Sequence, residues 1–132
     1  TKSSTGTINP AIKKLEKMGC VECTDKMSDG GMLSKTYSIT QTGKKHLVKL
    51  LLNFDTQNPS RVLNDAKIAL YCSNILSINE LIEFKNNLQN HLELYKIKLE
   101  RGLKNEYITL DDIQKNTVLV TLKETEELIK LL

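Results

Sequence analysis

One apolar stripe constrains this chain more than any other feature. Leu81, Phe84, Leu88, Leu92, Tyr95, Leu99 and Leu103 follow one another at spacings of 3, 4, 4, 3, 4 and 4 residues. That is the repeat of one face of an α-helix and of no strand. The stripe runs for more than 20 residues, about 35 Å of helix at 1.5 Å per residue. Ser77-Ile78-Asn79-Glu80 precedes it with the capping-box pattern of a helix start. A helix this long cannot hide its stripe on one small core, so it is expected to pair with another helix or with a second copy. Dimerisation through Leu81, Phe84, Leu88, Leu92, Tyr95 and Leu99 is the preferred expectation.

The rest of the second half reads as helix too. Asn58-Pro59-Ser60 breaks the chain, and Val62, Leu63, Ala66, Ile68, Ala69, Leu70 and Leu76 predict a helix over about 60–76. Thr109-Leu110-Asp111-Asp112 caps a last helix through Ile113, Leu119, Leu122, Leu128 and Ile129. Two prolines and six glycines in 132 residues leave little loop. Aromatics at 5% with no Trp leave a core of Leu, Ile and Val. The length suits one domain, or a small domain with an appendage.

The first 55 residues follow another pattern. Ile8, Ile12, Leu15 and Met18 share a helical face, with Lys13, Lys14 and Lys17 on others. Pro10 lacks a backbone donor and is cheap only near a helix start, so a helix over about 6–18 is expected, closed by Gly19. Cys20 to Met27 reads as a strand, Ser28-Asp29-Gly30-Gly31 as a turn, and Leu33 to Ile39 alternates with period two. Thr40 stands at the N-cap position of a further helix carrying Leu47, Val48, Leu50, Leu51 and Phe54. The expected order is therefore helix, hairpin, helix over residues 1–55, then a helical region over 56–132.

Charge divides at the same place. The net charge is +3, but residues 1–53 carry +5 and residues 54–132 carry −2. An asymmetry of this kind suggests nucleic acid at one end and a different task at the other. Lys outnumbers Arg 17 to 2, a composition in keeping with an A·T-rich bacterial genome.

Few residues suggest catalysis, and no enzyme activity, metal or cofactor is expected. Cys20-Val21-Glu22-Cys23 is not followed by a second ligand pair, as a structural zinc site requires. Positions 20 and 23 also fall on opposite faces of a strand. Cys20 and Cys23 read instead as small apolar residues. His46 and His91 read as solvated helical surface. No nucleophile elbow or phosphate loop occurs, and Gly30-Gly31 joins strands instead of opening a helix. No apolar run reaches the ~20 residues of a membrane span. Three cysteines and no visible signal peptide point to the cytoplasm.

Ser3, Ser4, Thr5, Thr7 and Asn9 cluster at a helix N-terminus, where hydroxyls, amides and free N–H groups can meet phosphates and base edges. Lys13 and Lys14 extend the positive face, and Lys26 and Lys35 flank the hairpin turn. On composition alone, a capped helix with a solvated lysine face explains these residues as well as a DNA contact does.

The order of features adds a resemblance. Residues Gly6-Thr7-Ile8-Asn9-Pro10-Ala11-Ile12-Lys13-Lys14-Leu15-Glu16-Lys17-Met18-Gly19 are followed by Gly30-Gly31, Lys35, Tyr37, Ile39-Thr40 and Gly43. Together they resemble the PadR family of bacterial transcription regulators over about residues 4–50, including the unusual helical proline. The resemblance implies a mainly α fold: a winged helix-turn-helix whose only strands are the wing hairpin, followed by C-terminal dimerisation helices.

It also implies a repressor that binds a pseudo-palindromic operator as a homodimer, with a small hydrophobic or aromatic effector in some members. Such an effector is expected between the basic domain and the C-terminal helices. By position, Ser4 to Lys14 corresponds to the recognition helix and Lys26 to Thr36 to the wing. Ser4, Thr5, Thr7, Asn9, Lys13, Lys14, Lys26 and Lys35 become the DNA-binding candidates. Two places depart from the pattern: Asn9 replaces the usual Tyr, and Met32-Leu33-Ser34 replaces an Arg-Pro-Arg stretch, leaving Lys35 as the lone tip cation. Thr1 is not an initiator Met, and the two helices that precede a recognition helix have no counterpart here, so a partial view of a longer protein is expected. A winged-helix protein-interaction module and a ligand-sensing dimer without DNA binding are the competing expectations.

Overall fold

The structure is a computed structural model that describes residues 2–27, 31, 33–56 and 58–132, with side chains outside 2–9, 26–27 and 33–34. Helix α1 spans Lys2–Lys17. Strands β1 (Val21–Met27) and β2 (Leu33–Ile39) form an antiparallel hairpin, followed by α2 (Gln41–Leu52). Then come α3 (Val62–Cys72), α4 (Ile78–Lys104) and α5 (Asp112–Lys130). The chain divides into two compact units, Thr1–Leu50 and Leu51–Leu132. This mainly α order, a helix, a two-stranded wing and further helices, is that of a winged helix with a helical extension. No helix among the described residues is long and apolar enough to cross a membrane.

Local chemistry explains each boundary in the first unit. Helix α1 ends in a Schellman motif: Cys20 N–H donates to the Leu15 carbonyl at 2.9 Å and Gly19 N–H to Glu16 at 3.0 Å, with Gly19 at φ 75°. At the other end the helix starts at Lys2, earlier than expected, so Pro10 lies in its interior and not in its first turn. A proline there leaves the Gly6 carbonyl without its usual helical donor. The hairpin pairs Val21 with Ile39 and Met27 with Leu33. Gly31 takes φ 78°, as a tight turn demands, while residues 28–30 and 32 of the expected turn lie outside the described residues.

Thr40 does cap α2, and it ties the unit together. Its hydroxyl accepts from Gly43 N–H at 3.0 Å and donates to the Gly19 carbonyl at 2.5 Å. Its own N–H donates to the Cys20 carbonyl at 3.0 Å. The end of α1, the start of β1 and the start of α2 therefore meet at one residue. Gly43 makes the approach feasible, because a Cβ there would fall on the Cys20 carbonyl oxygen.

The second unit begins five residues before the boundary expected at 55/56, because Leu51 is already buried and the 54–56 segment bonds to α3 and α4. Asn58 caps a short 3-10 turn over Pro59–Arg61, after which α3 begins. Both expected caps on the long helices are present. Ser77 and Glu80 close the capping box of α4, and Asp111 with Gln114 closes that of α5. At 27 residues α4 is about 40 Å long.

The core of this unit draws on part of the stripe expected at a dimer seam. Phe84, Leu88 and Leu92 are fully buried within their own chain, together with Leu128, Thr125, Val62, Ala66 and Ala69. Helix α5 packs along α4, with Lys96 and Glu126 4.0 Å apart, and Lys67 of α3 pairs with Glu124 of α5. Three of the six residues assigned to a dimer seam thus serve folding within the chain. Leu81, Tyr95 and Leu99 are half-buried. The stripe found its partner three helices wide in the same chain, an arrangement that periodicity alone does not distinguish from pairing between chains.

Candidate functional site

In the basic unit, α1 turns the half-buried Ile12 and Leu15 to one side and the exposed Pro10, Lys13, Lys14 and Lys17 to the other. Residues 10, 13, 14 and 17 are spaced three or four apart, so their side chains share one strip of the helix surface. Lys17, three residues from Lys14 and four from Lys13, extends the strip beyond the two lysines expected there. The backbone of residues 4–9 is helical. The side chains of Ser4, Thr5, Thr7 and Asn9, and that of Lys26, lie outside the described residues.

Lys35 is exposed on β2, and the register sets it directly opposite Asp25. Cross-strand neighbours of opposite charge attract, so this carboxylate offsets the cation expected to grip phosphate. Farther from the tip, Cys23 faces Tyr37 across the ladder. Tyr37 has its phenol raised above the ordinary tyrosine value, first by partial burial and then by Cys23 alongside. Cys20 is buried and Cys23 half-buried, both as free thiols. An apolar groove of about 230 Å³ runs between Leu15, Val21, Ile39, Leu47 and Leu50. His46 lines it and is half-buried, not solvated as expected.

His91 also departs from the surface expectation. Its Nδ1 donates to the Asn87 carbonyl at 2.9 Å and its Nε2 lies 3.3 Å from the Asp55 carboxylate. The Phe54 ring stands edge-on to the imidazole at 5.6 Å and 79°. Asn87 donates its side-chain N–H to the Phe54 carbonyl at 3.0 Å, and the Thr56 hydroxyl donates to Asp65 at 3.2 Å. These contacts fasten the 54–56 segment to α4 and α3. Beside it opens a cavity of about 190 Å³ that Tyr95 and Lys98 also line. Tyr95 is raised above the ordinary tyrosine value by burial first and by Glu124 second. No sequence motif marks this site, because its residues come from positions 54 to 98 and meet only through the packing.

No curated protein matches the chain. Residues 1–49, which hold α1, the hairpin and most of α2, match the model of the transcriptional regulator PadR-like family, so the first unit of the chain is similar to that family of regulators.

Proposed function

We propose that the chain is a DNA-binding transcriptional repressor that acts as a homodimer on a pseudo-palindromic operator. The observation that carries this reading is the exposed strip of Lys13, Lys14 and Lys17 on α1, in the unit that matches the regulator family. In this reading α1 enters the major groove, and two copies occupy half-sites about one helical turn apart. Lys13 and Lys14 neutralise phosphates, while Ser4, Thr5, Thr7 and Asn9 hydrogen-bond to base edges or phosphates. Asn9 suits an adenine edge, to which it can both donate and accept. Lys26 and Lys35 serve the wing, where Asp25 opposite Lys35 makes the grip on phosphate weak. The protein works in the cytoplasm without a cofactor and catalyses no reaction.

Pairing of two copies needs a surface that folding has not used. Ile68, Tyr71, Ile75, Ile78 and Ile82 are exposed at 56%, 88%, 36%, 79% and 55% around the junction of α3 and α4. Apolar side chains left exposed there are the candidate pairing face. A small hydrophobic or aromatic effector has the 54–98 cavity of the helical unit as its candidate seat.

Titration of the intact protein with DNA from upstream of its own gene, at several salt concentrations, tests the reading. Four lysines of α1 per dimer on phosphates give a slope of log affinity against log salt of about −3.6 from that source alone. Lys13→Ala with Lys14→Ala flattens the slope by that amount and weakens binding to all sequences alike, whereas Asn9→Ala changes sequence preference. A flat salt response, or no specific complex, overturns the proposal.

A further inference from the structure

One imidazole of the helical unit stands between two groups that only accept a hydrogen bond. His91 Nδ1 is 2.9 Å from the Asn87 carbonyl oxygen, and Nε2 is 3.3 Å from Asp55 Oδ1. A neutral imidazole carries one N–H, and only the imidazolium carries two. The neutral ring therefore leaves one of these contacts as a meeting of lone pairs. If Nε2 is bare, it faces a carboxylate; if Nδ1 is bare, the ring loses its tie to its own helix. The doubly protonated ring makes both bonds and adds attraction to the Asp55 charge.

The contact joins residues 36 apart in the chain, and it bears on more than itself. Phe54, Asp55, Thr56 and His91 all line the cavity of about 190 Å³, so the ring fastens one wall of it to α4. The same wall is also tied by Asn87 to the Phe54 carbonyl and by Thr56 to Asp65. The charged and titratable groups around it come from every neighbouring element. They are Asp55 on the segment, Asp65 of α3 with Arg61 at 3.6 Å, Tyr95 and Lys98 of α4, and Glu124 of α5 beside Tyr95. None of these side-chain types ordinarily changes charge between pH 5 and 8, whereas imidazole does. The His91 side chain is 28% exposed and that of Asp55 58%, so solvent protons reach the pair and water screens it.

We propose that His91 and Asp55 form a proton-operated clamp on this wall: the protonated ring holds the 54–56 segment on α4, and loss of one proton loosens it. The cavity wall is then firmest on the acid side, whatever the cavity holds. This goes beyond the function proposed above and does not rest on it, because every residue of the clamp lies in the helical unit and the test reads the protein alone.

The experiment is amide hydrogen exchange of the intact chain by NMR between pH 5 and 8, with the ring nitrogens of His91 followed in the same samples. The reporter is the Phe54 N–H, which donates to the Leu51 carbonyl at 3.3 Å. Its exchange is corrected for the chemical rate, so that the opening of the segment alone remains. Opening is expected to rise roughly threefold over this range, the scale of one partly exposed ion pair, and to follow the His91 signals. Asp55→Asn is expected to abolish the dependence, because an amide can turn its oxygen to a protonated Nε2 or its N–H to a bare one. Asp55 is more than half exposed, so this variant retains the fold, as circular dichroism verifies. The proposal is overturned if opening does not change with pH, if it changes without following His91, or if Asp55→Asn shows the same dependence as the unaltered chain.

Discussion

Replacing Gly43 by Ala adds one methyl group at the most crowded point of the basic unit. The new Cβ would land on the Cys20 carbonyl oxygen, 2.8 Å from Ile39 Cγ1 and 2.9 Å from the Cys20 carbonyl carbon. Two of these three neighbours are backbone, so no rotamer change relieves the clash. Relief requires α2 to move back by about an ångström, towards ordinary van der Waals separation. That stretches the Thr40 N–H bond to Cys20 and the Thr40 hydroxyl bond to Gly19, now 3.0 and 2.5 Å, past useful length. Overpacking costs about 1–3 kcal/mol and each lost hydrogen bond about 1 kcal/mol, for a total of about 3–5 kcal/mol. Against a usual domain stability of about 5–15 kcal/mol this is severe. Urea unfolding followed by circular dichroism should show the midpoint fall by about 2 M. Gly102→Ala is the matched control: nothing lies within 4 Å of its Cβ and it is helical, so stability should rise by about 0.5–1 kcal/mol. If the Gly43 variant loses less than about 1 kcal/mol, the three-way junction at Thr40 does not hold the unit as described.

Phe84→Ala removes a fully buried ring from the helical core and should cost about 3–5 kcal/mol in the same assay. By contrast, Ile78→Lys with Ile82→Lys alters exposed positions. It should leave the helical circular dichroism unchanged while shifting the sedimentation coefficient from dimer to monomer; an unchanged coefficient removes that face from the interface. Tyr95 titrates above its ordinary value because burial and Glu124 disfavour the phenolate. A raised value in the folded state means full stability below about pH 10 and a loss as pH rises beyond it. Tyr95→Phe should reduce this loss when denaturation is repeated between pH 9 and 11.

The elements of the fold were legible wherever one short-range rule decides them. Ser77 with Glu80, Thr40 ahead of α2, and the alternation from Leu33 to Ile39 each carry their own local physics, and each element stands where that physics puts it. Pro10 lies inside α1 and not in its first turn, where a local rule places a helical proline. The fate of the long stripe was not legible at all. Whether Phe84 and Leu92 meet Leu128 of the same chain or their own copies depends on how α5 folds back, a long-range choice. The exposed lysine strip on α1 could be read from spacing, Lys17 included. The His91 and Asp55 pair, separated by 36 residues, could not.

Because Phe84, Leu88 and Leu92 are buried inside the chain, folding and association would draw largely on separate residues in the proposed dimer. Folding of the helical unit would then be a first-order process, while the proposed pairing through the Ile78 face would be second-order. In an obligate dimer the two are one equilibrium, and the melting temperature climbs with protein concentration. Here dilution should separate the chains while leaving each subunit's melting point nearly unchanged. Cellular abundance, through mass action alone, would then set how much of the protein is paired.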